Sequence, residues 1–118
     1  MLDIRVYYNR ITICHQGTEV RHHEAPFSNQ RMIVADFDCF AHALKSLYAE
    51  HRRQPGGLLK QWFAPAPAVH LDVRVELADG LAPLEQKALC DAALVMGARR
   101  VDVHYRGQLV KPWQPHRR

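Results

Sequence analysis

The sequence contains no apolar run approaching the roughly 20 residues that span a bilayer, so no membrane span is expected. It opens Met1-Leu2-Asp3-Ile4-Arg5, with no basic stretch leading into an apolar core. It therefore reads as a cytoplasmic chain without a secretory signal. Cysteine is scarce: Cys14, Cys39 and Cys90 are the three, far apart and never paired as Cys-x-x-Cys. That spacing excludes a disulfide framework and a zinc-ribbon pattern, and leaves small buried or half-buried thiols. No Gly-x-Ser-x-Gly, Walker-type loop or Ser-His-Asp order occurs, and there is no internal repeat or low-complexity tract.

What is present suits one folded domain. The chain has 118 residues, 47% of them apolar and 24% charged, which excludes wholesale disorder. A net charge of +4 and a pI near 9.2 are compatible with an acidic partner, a nucleic acid or an anionic surface. Two stretches break the pattern. Arg52-Arg53-Gln54-Pro55-Gly56-Gly57 is a loop, and Ala64-Pro65-Ala66-Pro67 is a second stop. Between them, Leu58, Leu59, Trp62 and Phe63 can form a short helical turn packing back on the core.

Leu2, Ile4 and Val6 alternate with polar neighbours, and Ile11 and Ile13 do the same after a turn at Tyr8-Asn9-Arg10. A second turn, His15-Gln16-Gly17-Thr18, leads to a more polar strand over Glu19–Glu24, which completes an antiparallel meander. From Asp36 to His51 the period changes. Phe37, Phe40, Leu44, Leu47 and His51 recur on one helical face, and Asp36 or Asp38 can cap it. Val69 to Leu77 alternates strictly, which predicts another strand. Pro83 then opens a second helix with an apolar stripe of Leu84, Ala88, Ala92 and Val95, and Gly97 closes it. Val101, Val103 and Tyr105 form the last expected strand.

The predicted fold is α/β: a five-stranded mixed sheet, β-β-β-α-β-α-β, with both helices on one face. A helix linking the last two strands makes them parallel. Their other face carries His70, Asp72, Arg74, Glu76, Asp102, His104 and Arg106, so it is expected to stand open to water. Residues 1–108 form the domain and residues 109–118 a basic C-terminal tail that includes Lys111, Arg117 and Arg118.

Several segments resemble the MreB family of bacterial actins. Met32-Ile33-Val34-Ala35-Asp36-Phe37-Asp38 ahead of a helix resembles that family's Gly-Val-Ile-Ala-Asp-Phe segment. Pro65-Ala66-Pro67 resembles its Pro-x-Pro before a strand. Leu81-Ala82-Pro83-Leu84-Glu85-Gln86-Lys87-Ala88, continued to Ala93, and Met96-Gly97-Ala98-Arg99-Arg100-Val101 are similar to its next helix, glycine stop and Ala-Arg strand start. The likeness runs over residues 31–104 and implies a ribonuclease-H-like or actin-like half-fold, with the family's small subdomain shortened to a loop. Asp3 falls at the family's phosphate-loop aspartate. No glycine follows it, and Tyr7 and Tyr8 add bulk where backbone would approach a phosphate. At this point the sequence departs from the family, and no ATP and no other cofactor is expected.

Other constellations have plainer readings. Asp3 is a polar residue on an open face. His22 and His23 point to opposite faces and cannot easily share an ion, and His70 with His104 lacks a third ligand, so no metal is expected. Asp72, Glu76 and Asp102 suit cross-strand salt bridging to neighbouring cations. Arg99, Arg100, Arg106, Lys111, Arg117 and Arg118, with Tyr105 and Trp113, suggest a basic nucleic-acid patch, but Tyr105 shares the core phase of Val101 and Val103. The expected function is non-catalytic: an MreB-like protein-interaction module in bacterial cell-shape or cytoskeletal assembly. A protein partner or self-association would use Leu58, Leu59, Trp62 and Phe63. The alternative is a basic nucleic-acid or anion-binding module.

Overall fold

The computed structural model describes residues 2–29, 32–52, 66–77 and 80–112, with side chains to residue 110. Three strands come first: β1 (Leu2–Tyr7), β2 (Arg10–His15) and β3 (Thr18–Glu24). Helix α1 (Phe37–Arg52) follows, then β4 (Ala68–Val73), α2 (Pro83–Met96), β5 (Arg100–Tyr105) and β6 (Gln108–Pro112). They build one mixed sheet of six strands in the order β3-β2-β1-β4-β5-β6. β1, β4 and β5 run parallel in the middle, and β2, β3 and β6 are antiparallel to their neighbours. Among the described residues no helix is long and apolar enough to cross a membrane.

Six strands replace the expected five because a third hairpin follows β5. Arg106 (φ 51°) and Gly107 (φ 90°) form its two-residue turn. Gln16 (φ 53°) and Gly17 (φ 81°) make the same turn between β2 and β3. Paired positive φ angles match the right-handed twist of a hairpin, and glycine adopts them at little cost. Residues 109–112, assigned above to a basic tail, therefore pair with β5.

The strand expected over Val69–Leu77 ends at Val73. Its register explains this. Val73 lies beside Val6 of β1 and Tyr105 of β5, and both neighbours turn away just beyond. Arg74 N–H still donates to Val6 O (3.0 Å), after which the ladder has no partners. Val75 and Leu77 nevertheless pack against the core, and Leu77 N–H donates to the Tyr105 hydroxyl at 2.7 Å.

Both helices cover one face. Ile4, Ile13, Leu71 and Val103 share a register row, each at most 1% exposed, and pack with Phe40, Leu44, Leu47 and Leu89 in one core. Each such side chain contributes about 1.5–3 kcal/mol on burial. Asp36 caps α1, its Oδ1 accepting from Cys39 N–H at 3.0 Å. Phe27, in the segment before α1, is fully buried and meets Phe40 edge to face at 4.9 Å. Pro83 starts α2 and Gly97 (φ 115°) ends it, with Ala98 N–H closing back on Ala93 O.

The buried face of α2 differs from expectation. Leu84 and Val95 are 69% and 53% exposed. The buried positions are Glu85, Leu89, Cys90, Ala92, Ala93 and Met96. Glu85 is 4% exposed, and its Oε1 accepts from Val34 N–H at 2.8 Å. That bond ties the first turn of α2 to the segment before α1 and sets the rotation of the helix.

Candidate functional site on the open sheet face

The register places polar side chains of the uncovered face in rows across the strands. One row runs Cys14, Asp3, His70 and Asp102, from β2 through β1 and β4 to β5. The next row runs Thr12, Arg5, Asp72 and His104. A cleft of about 110 Å³ opens between them, lined by Asp3, Arg5, Cys14, Gly17, His70 and Asp72.

Asp3 does not stand alone on this face. His70 Nδ1 lies 3.0 Å from Asp3 Oδ1, so a neutral His70 carries its proton on Nδ1 and donates to the carboxylate. The His70 ring meets the His104 ring edge to face, centroids 4.0 Å apart. Three polar atoms here are buried without a hydrogen-bond partner: His70 Nε2, Asp102 Oδ1 and His104 Nδ1. Burial holds His104 below the usual histidine range, the neighbouring His70 adds to this, and Asp72 and Asp102 oppose it.

Asp72 and Thr12 correct the expectation of a simply solvated face. Asp72 is 8% exposed and Thr12 fully buried. Asp72 is satisfied from two sides: Arg74 donates to one oxygen at 2.9 Å and Gly107 N–H to the other at 3.2 Å. The carboxylate thereby fastens β4 to the β5–β6 turn. Arg106–Glu76 at 3.2 Å joins the β5–β6 turn to the segment after β4, and Arg100–Asp102 at 3.7 Å lies along β5. All three carboxylates have an ion-pair partner, but only Arg106–Glu76 joins separate segments; Arg74–Asp72 and Arg100–Asp102 pair residues two apart in the chain, not across strands as expected. Toward β3, the Tyr7 hydroxyl donates to Glu19 at 2.6 Å, and Arg10 and Arg5 stand 3.4 and 3.6 Å from the same carboxylate. The Tyr7 hydrogen bond chiefly holds Glu19 below the usual carboxylate range.

An Asp–His pair beside a thiol invites a nucleophilic reading, and the geometry rejects it. Cys14 and His70 flank Asp3 on opposite sides, two strand spacings or roughly 9–10 Å apart. Nucleophile and base need hydrogen-bond contact. Among the described residues no group of three or more His, Cys, Asp or Glu side chains could hold a metal ion. His22 and His23 lie opposite Thr12 and Ile11, hence on opposite faces. Cys14 and Cys90 are buried and Cys39 is half-buried.

The proposed docking residues Leu58, Leu59, Trp62 and Phe63 lie outside the described residues, as do Trp113, Arg117 and Arg118. Tyr105 packs against the core rather than standing in a basic patch. Sequence reasoning missed several exposed apolar side chains: Leu84, Leu94 and Val95 on α2, Leu109 and Val110 on β6, Val20 on β3, Tyr8 in the first turn, and Phe37, which was expected on the apolar face of α1. No protein-family model and no curated protein matches the chain.

Proposed function

We propose that the chain is a non-catalytic protein-association module of the actin-like kind. The observation that carries the reading is the set of apolar side chains left outside the core. Leu84 at 69%, Val95 at 53% and Leu109 at 53% exposed hold large aliphatic surface in water, where docking against another protein would bury it. The central β2-β1-β4-β5 order, antiparallel then parallel, supports the resemblance to an MreB-like half-fold. Assembly with cell-shape or cytoskeletal components is the setting that resemblance implies.

The β1–β2 turn supports a reading without ATP. It holds only Tyr8 and Asn9 between the strands. Asn9 N–H donates to Ser28 Oγ at 3.1 Å, and Asn9 Oδ1 accepts from Ser28 N–H at 2.8 Å. The Asn9 amide is thereby committed inside the protein.

The test pairs wild type with the double variant Leu84→Glu, Val95→Glu in sedimentation velocity across a concentration series. Both positions are exposed, so the variant should fold with an unchanged circular-dichroism spectrum. Wild type should associate as concentration rises, and the variant should sediment as a monomer throughout. A wild type that remains monomeric, or a variant that associates equally, rejects this surface. A magnesium- and ATP-dependent rise in melting temperature would reject the non-catalytic reading. Tight DNA or RNA binding that survives physiological salt would favour the nucleic-acid alternative.

A further inference from the structure

Three buried, unpartnered polar atoms of the open face, His70 Nε2, Asp102 Oδ1 and His104 Nδ1, belong to residues that adjoin one another on β4 and β5. His70 stands directly across from Asp102, and His104 is two residues further along the same strand on the same face. Asp3 fixes the proton of neutral His70 on Nδ1, so His70 Nε2 is an acceptor. Asp102 Oδ1 is an acceptor as well. Neutral His104 has a single ring N–H, which on Nδ1 can serve one of these two acceptors but not both, so with both rings neutral the cluster is one donor short.

We propose that His70 and His104 form a one-proton switch: one proton taken up by the pair turns an unpaired ring nitrogen into a donor to Asp102 Oδ1 and opens the edge-to-face ring contact. The proton comes from solvent, and the new bond is a charge-assisted N–H to carboxylate hydrogen bond. A second proton is resisted, because it would add a second imidazolium beside the first on neighbouring strands. The groups facing the pair are consistent with a single added charge. From β1 these are Asp3 and Arg5, from β4 Asp72 with its partner Arg74, and from β5 Arg100 and Asp102. β6 presents the uncharged Leu109 opposite His104. The neutral state keeps the rings packed, and the protonated state re-forms the face around Asp102.

The experiment is an NMR pH titration of the whole chain, following histidine ring signals and the Asp102 side-chain carboxyl carbon. The two rings should titrate in two steps, separated by more than about one pH unit, the mark of strongly coupled sites. The Asp102 carboxyl signal should move with the first step. In Asp102→Asn that first step should fall to lower pH, and in His104→Phe only one step should remain. Rings that titrate together and independently, with a flat Asp102 signal, overturn the proposal. So does an Asp102→Asn variant with an unchanged first step. Should a variant fail to fold, the wild-type titration alone decides, since coupling and the Asp102 response are both read there.

Discussion

The two faces of the sheet are made by the same strands, residue against alternate residue, yet they are held together differently. On the covered face Ile4, Val6, Ile11, Ile13, Val69, Leu71, Val73, Val101 and Val103 are at most 1% exposed beneath the helices. Nothing there depends on a particular partner, because burial of apolar area is non-directional. On the other face no helix of the described residues intervenes, and still Thr12 and Asp72 are withdrawn from water. There each group needs its own counterpart: Arg74 and Gly107 for Asp72, Asp3 for His70, Tyr7 for Glu19. The comparison teaches that an uncovered face is not the same as a solvated one. Its polar side chains cover one another, and its stability is a sum of specific contacts.

The largest effect should come from the covered face. Phe40→Ala removes a fully buried ring together with its edge contact to Phe27. It should cost about 3–5 kcal/mol, read as a lower urea midpoint with an unchanged slope. A cost below about 1 kcal/mol would mean that the helices pack loosely and that the two faces differ less than described.

Asp72 tests the open face at a buried charge. Asp72→Ala strands the Gly107 N–H and the Arg74 guanidinium, and should cost about 1–3 kcal/mol. Asp72→Asn keeps an acceptor for Gly107 and should lose less. If alanine and asparagine are equally mild, the carboxylate is a solvated surface group and the comparison fails at its central residue. If alanine approaches the Phe40→Ala loss, directional contacts on this face rival apolar burial on the other.

Much of this contrast was legible beforehand, and the failures have physical causes. The turn at Asn9, the Asp36 cap and the Pro83 and Gly97 bounds carry chemistry specific to one backbone geometry, so they could be read singly. The alternation of Val69–Val73 and Val101–Val103 marked the faces. Helix α2 is apolar nearly all round, so Leu84, Leu89, Ala92, Val95 and Met96 offer no unique stripe from which to read its phase. Its rotation follows Glu85, whose carboxylate turns inward to reach Val34 N–H. A buried face that includes an acid has no hydrophobic signature. Arg106-Gly107 carries the same hairpin signal as Gln16-Gly17, but it precedes only a short segment next to basic residues, which reads as a tail. Phe27, alone in a polar stretch, has no period to reveal it. The contact of His70 with Asp3 depends on the parallel pairing of strands 67 residues apart in sequence, which no local pattern reports.

The smallest expected effect lies at the β3 side of the open face, where Glu19 gathers Tyr7, Arg10 and Arg5. These groups are partly exposed, so water screens the ion pairs and Glu19→Gln should cost no more than about 1 kcal/mol at neutral pH. Its pH dependence separates a working contact from an ornamental one. The folded protein holds Glu19 below its ordinary value of 4.5, chiefly through the Tyr7 hydroxyl. The unfolded chain therefore binds its proton first as pH falls, and stability rises with pH wherever the unfolded state holds more protons. The contribution is complete above the ordinary carboxylate value and is lost as pH falls below 4.5 through the folded value. Urea unfolding of wild type and Glu19→Gln across that range should show a gap that narrows steadily toward acid. A gap that is constant with pH would assign the loss to packing of the Gln side chain and remove charge from the account of this corner of the sheet. A gap that widens toward acid would reverse the sign and show that Glu19 is more at ease neutral, as a group buried without donors would be.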